Sequence, residues 1–134
     1  MLGSIREVLN TVVKAGWPAY IVDSDKYGDG FAYIITPSDN VLCICKGEFG
    51  GLRVTFEYHP SRETGTGCSC YDGDMRVSYV ANIDNLLSLE ADGKAFARRL
   101  NAKLYRSSDT WLENNYWYKK DMLKPYKIVE EATV

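Results

Sequence analysis

From Ile5 the apolar residues return every three or four positions, at Ile5, Val8, Leu9, Val12 and Val13, until Gly16 stops the run. That spacing marks one buried face of an α-helix. Ser4 followed three positions later by Glu7 is the capping-box pattern that opens one. Beyond Trp17-Pro18 the period shortens. AYIVDS and FAYIIT read as strands joined by the turn DKYGDG, and PSDN, with proline, aspartate and asparagine where turns favour them, leads into a third strand, VLCICK. In the fourth, LRVTFEYH, Leu52, Val54, Phe56 and Tyr58 alternate with Arg53, Thr55, Glu57 and His59, which predicts one buried and one wet face. VLCIC is apolar at every position and belongs in the middle of the sheet.

The pattern is looser after that. A short fifth strand is expected at Cys68–Tyr71 or Met75–Val80, after the flexible connection that begins at His59-Pro60 and runs through Gly65-Thr66-Gly67. Asn82 or Asp84 caps a helix carrying Ile83, Leu86, Leu87, Phe96, Ala97 and Leu100, with an interruption expected at Asp92-Gly93. SSDTWLENNYWYKKDML, residues 107–123, reads as a further helix despite its Asn-Asn and Tyr-Trp-Tyr steps, and PYKIVEE as a terminal strand. The elements together predict a single α+β domain over residues 1–134: an antiparallel sheet of about five strands with an N-terminal helix and C-terminal helices packed on one face.

Composition narrows the class. With 134 residues, 46% of them hydrophobic, the chain is long enough to build a core without disulfide staples. It has no run of eighteen apolar residues and no cleavable leader pattern, so the expectation is a cytoplasmic protein that does not enter membranes and keeps its four cysteines reduced. Ten tyrosines and three tryptophans are many for this length, and such residues concentrate where proteins meet partners. Charge divides along the chain. Residues 1–93 hold seven Lys/Arg against thirteen Asp/Glu, whereas 94–127 hold nine against three.

Several constellations carry candidate chemistry. Cys43-x-Cys45 and Cys68-x-Cys70 would present four thiolates to a zinc ion if the two strands were neighbours. A C-x-C pair on a strand spreads its sulfurs to about 6–7 Å, however, and in so apolar a strand core thiols are the better reading. No cofactor or metal is therefore expected. His59, the sole histidine, would be the base of a thiol enzyme, but the sequence marks neither an orienting group nor an oxyanion donor beside it, and catalysis is not the expectation. Gly65-Thr66-Gly67 lacks the lysine and the following helix of a phosphate loop. Asp23, Asp25 and Gly28 imitate a calcium loop that fails at Tyr27 and Ile34, where oxygen ligands are required.

Two surfaces remain. One is acidic and aromatic, on the connections of the meander: Asp23, Asp25, Tyr27, Asp29, Asp39, Glu48 and Phe49, suited to a basic groove on a protein that handles nucleic acid. The other is basic and aromatic, Arg98, Arg99, Lys103, Arg106, Trp117, Lys119, Lys120 and Lys124, suited to phosphates and stacked bases.

The layout of a capped helix, a short-stranded meander with TPSDNVLCI and PSRETGTG, and a charged aromatic tail resembles small accessory proteins carried by phages and conjugative elements, anti-CRISPR-like proteins among them. Some of those inhibit host defence nucleases. The resemblance implies a protein partner of that kind and transfers no functional residue. The sequence thus predicts a non-catalytic inhibitor that binds a protein through its acidic turns, with nucleic-acid binding through residues 94–127 as the second reading and a zinc protein or thiol enzyme as the third.

Overall fold

A computed structural model describes residues 5–22, 31–46, 52–58, 69–72, 82–104, 106 and 123–128. They form a six-stranded antiparallel sheet and two helices, in the order α1 (Ile5–Lys14), β1 (Ala19–Val22), β2 (Phe31–Ile35), β3 (Val41–Lys46), β4 (Leu52–Tyr58), β5 (Ser69–Asp72), α2 (Ile83–Arg99) and β6 (Leu123–Pro125). Strands β1 to β5 make a meander, and β6 returns to the far edge beside β1, so the sheet order is β5-β4-β3-β2-β1-β6. The α+β class stands. Neither described helix is long and apolar enough to cross a membrane.

Register sorts the side chains into two faces. Ala19, Ile34, Leu42, Phe56 and Tyr71 lie in one cross-strand row, and Ile21, Ala32, Ile44 and Val54 in the next. These rows make the floor of the core. Helix α1 lays Ile5, Val8, Leu9 and Val12 on it over β1 to β3, and α2 covers β4 and β5. Each of those α1 side chains, withdrawn from water, contributes about 2 kcal/mol. Strand β3 is interior and apolar on both sides, with Leu42 and Ile44 on the helix face and Val41 and Cys43 buried on the other, as its unbroken apolar run predicts.

Both helices end in the same way. At α1, Trp17 N–H donates to the Val12 carbonyl (2.9 Å) and Gly16 N–H to that of Val13 (3.0 Å), with Gly16 at φ +91°. At α2, Ala102 N–H donates to Ala97 (2.9 Å) and Asn101 N–H to Arg98 (3.0 Å), with Asn101 at φ +53°. These are Schellman terminations, in which a left-handed residue lets the chain turn back onto the last free carbonyls. The start of α2 is capped by Asn82, whose side chain accepts from Asp84 N–H at 2.8 Å. Ser4, the expected cap of α1, lies outside the described residues.

Three expectations need correction. The interruption at Asp92-Gly93 does not occur, because α2 runs unbroken through it. Gly93 is there for packing: a Cβ at this position would stand 2.5 Å from Phe56 Cβ and Cγ, so only glycine lets the helix settle onto β4. Among the described residues the wet face of β4 is wet only at Arg53, since Thr55 and Glu57 are buried. The terminal strand is Leu123–Pro125, upstream of most of PYKIVEE, and it takes Leu123, the last residue of the expected helix 107–123. Pairing with β1 decides this register, and proline is tolerated because β6 is an edge strand. Beyond it, Tyr126 N–H donates to Ala19 O at 2.8 Å and the Tyr126 hydroxyl donates to Asn10 Oδ1 on α1.

The contact at Gly93 generates a stability prediction. In an open helix Gly→Ala stabilises by about 1 kcal/mol. Here Gly93→Ala is expected to destabilise by about 1–3 kcal/mol, because Phe56 is fully enclosed and has nowhere to move. Chemical denaturation measures the sign, and a gain in stability would contradict the close contact.

Candidate functional site

In an antiparallel meander, connections alternate between the two ends of the sheet. Val22, Phe31, Lys46 and Leu52, the strand residues that flank the β1–β2 and β3–β4 connections, lie at one end. The β2–β3 turn lies at the other end, where Ile35 pairs with Val41. Six of the seven acidic-aromatic candidates, Asp23, Asp25, Tyr27, Asp29, Glu48 and Phe49, belong to the first pair of connections and lie outside the described residues. The seventh, Asp39, is on the opposite end.

The structure shows what Asp39 does there. The turn 36–40 is tied by Asp39 N–H donating to Thr36 O (2.9 Å), Thr36 N–H to Asn40 O (3.0 Å) and Asn40 N–H to Thr36 Oγ1 (3.1 Å). Asp39 takes φ +63°, the left-handed position that follows a type I turn in short hairpins, which aspartate tolerates better than most residues. It is half-buried. Its observed work is to shape a turn.

The basic candidates are also divided. Arg98, Arg99 and Lys103 are exposed together where α2 ends, and the Arg99 guanidinium lies 5.5 Å from the centre of the Phe96 ring. Phe96 itself packs against Tyr71 and Tyr58, with ring centres 5.3 and 6.4 Å away. Arg106 is half-buried and donates from Nη1 to the carbonyl of Ser38 in the β2–β3 turn. Lys124 is exposed on β6, at the opposite edge of the sheet from α2. Four strand spacings separate β6 from β4, about 19 Å. Trp117, Lys119 and Lys120 lie outside the described residues.

The cysteine reading meets a geometric obstacle. Cys43 and Cys45 are on β3 and Cys70 is on β5, with β4 between them: Cys43 pairs with Thr55, and Cys70 with Glu57. Two strand spacings, about 10 Å, exceed the roughly 4 Å between sulfurs that share a zinc ion. Cys70 is a strand residue, at the first of the two positions expected for the fifth strand. His59 and Cys68 lie outside the described residues. No group of three or more metal-ligating side chains occurs among the described residues.

Two buried polar pairs escaped the sequence reading. Asn40, fully buried, donates from Nδ2 to Glu90 Oε2 at 3.2 Å, which ties the β2–β3 turn to the middle of α2 across fifty residues of sequence. On the other face of the sheet Thr55 Oγ1 donates to Glu57 Oε1 at 3.4 Å, a long bond between neighbours on the same side of β4. The signal for the first pair was the helical phase of Glu90, which falls beside Leu86, Leu89, Gly93 and Ala97 on the inner side of α2.

Scans against protein-family models, curated proteins and solved structures found no match.

Unequal burial of the two described thiols yields a prediction. Cys43 is buried and Cys45 half-buried on the same strand. In single-cysteine variants of the native protein, Cys43 is expected to react with a thiol reagent at least about tenfold more slowly than Cys45, because attack needs an exposed thiolate. Equal rates in native protein would contradict the central placing of β3.

Proposed function

We propose that this protein acts by binding another protein, at the sheet end from which the β1–β2 and β3–β4 connections leave. The observation that carries the reading is the strand order. It anchors two separate acidic-aromatic segments, 23–30 and 47–51, on adjacent strands at a single end of the sheet. The segments that hold these four acidic residues and two rings thus leave from and return to neighbouring strand ends, whereas the described basic candidates are spread between the end of α2, the β2–β3 turn and β6. A surface of this composition complements a basic groove of the kind that holds a nucleic-acid backbone, with charge steering the encounter and the rings supplying most of the binding energy. The biological role that suits it is inhibition of a nucleic-acid-processing enzyme, such as a host defence nuclease, by a protein of phage or mobile-element origin. The turn at 36–40 lies outside the proposed surface, and Asp39 with it.

The test is capture of partners from a host lysate, before and after nuclease digestion, with the wild type and with Asp23, Asp25 and Asp29 all changed to lysine. The wild type is expected to retain a protein partner after digestion and the triple variant to lose it. The melting temperature should hardly change, since solvated charges contribute within about 0.5 kcal/mol each. A partner lost on digestion, or retained by the triple variant, would overturn the reading. Loss of binding on reversing Arg98, Arg99 and Lys103 instead would shift the site to the end of α2.

A further inference from the structure

One side of α2 is exposed along its length. Asp84, Leu87, Ala91, Ala95 and Arg98 are all exposed, and their spacing of three, four, four and three residues keeps them on one line along the helix. Leu87, 38% exposed, is one of two large hydrophobic residues at the surface among those described. The line is symmetric about Ala91: Leu87 and Ala95 stand four residues to either side, and Asp84 and Arg98 seven. Its charges are opposite at the two ends.

We infer that this face of α2 pairs with the same face of a second copy, antiparallel, about a two-fold axis at Ala91. In that arrangement Asp84 of each copy meets Arg98 of the other, so one sequence feature makes two ion pairs, while Leu87 lies over Ala95 and the two Ala91 side chains meet on the axis. A two-fold interface must complement itself in this manner. Alanine along the seam lets helix axes approach to about 8 Å. Parallel pairing is disfavoured because it sets Asp84 against Asp84 and Arg98 against Arg98. One helix pair covers less than the roughly 800 Å² per partner of a standard interface, so the dimer is weak and exchanges rapidly. An acidic start and a basic end also suit the dipole of the helix itself. That explanation leaves Leu87 and the symmetry of the spacing unaccounted for, and the two accounts diverge under charge exchange.

The experiment is sedimentation velocity over a concentration series up to about 1 mM, the weak limit of measurable association. The wild type is expected to self-associate. Asp84→Arg and Arg98→Asp should each weaken association by about tenfold, since symmetry places either reversal in two pairs. An equimolar mixture of the two variants should associate more tightly than either alone, because 84 and 98 are then oppositely charged across the interface. The double variant should recover self-association, although the helix dipole would disfavour it most. Ala91→Lys, which sets two ammonium groups face to face on the axis, should abolish the dimer without touching the pairs. A wild type that stays monomeric throughout, single reversals without effect, or a mixture that fails to associate would each overturn the inference.

Discussion

The seating of α2 on β4 depends on one side chain that is missing. Because Gly93 has no Cβ, the helix comes down against the Phe56 ring, and the neighbouring contacts follow from that height. Ala97 is buried one turn on, Phe96 reaches Tyr71 and Tyr58, and Glu90 reaches Asn40 across the sheet end. A helix raised by even one methyl group would strain all of these together, because close-packed interiors move as connected sets. The Glu90–Asn40 pair is the most exposed to such a shift. A buried carboxylate held by a neutral amide has little to replace that bond, whereas an aliphatic contact repacks at smaller cost.

What was legible in the sequence was whatever depends on near neighbours. Helix α1, strands β1 to β4 and the cap at Asn82 follow from periods of 3.6 and 2 and from local capping chemistry, which are written within a few residues of one another. Gly93 was misread because its meaning lies in Phe56, thirty-seven positions away, whereas propensity alone treats a mid-helix glycine as a breaker. Thr55 and Glu57 were misread because alternation on a strand reports polarity, and polarity stands in for exposure only where nothing lies above it. The three residues of β6 carry no periodicity, and their place is set by pairing with β1.

The candidate site was legible as composition and illegible as arrangement. Asp39 was grouped with Asp23, Asp25, Asp29 and Glu48 because all are acidic residues on turns. Alternation of hairpins in a meander sends the second connection to the opposite end from the first and third, and that follows from counting strands. Arg106 is similar: the sequence marks a cation, whereas the structure spends it on the Ser38 carbonyl, where it braces the same turn that Asp39 shapes. Charge at Asp39 and Arg106 therefore serves the fold, and only position in the fold reveals it.

The return of β6 to the side of β1 has a consequence for synthesis of the chain. A ribosome delivers β1 to β5 in the order in which they pair, so the meander can assemble as it emerges, each hairpin closing a short loop. Strand β1, however, waits as an open edge while about a hundred residues are made, until Leu123–Pro125 pairs with it. Through that interval Ala19 and Ile21, whose backbone groups face away from β2, offer them unpaired to any extended segment nearby, including those of sister chains on the same message. That pairing is thus a step at which production of this protein is open to error, and slow translation downstream of α2 would prolong the hazard.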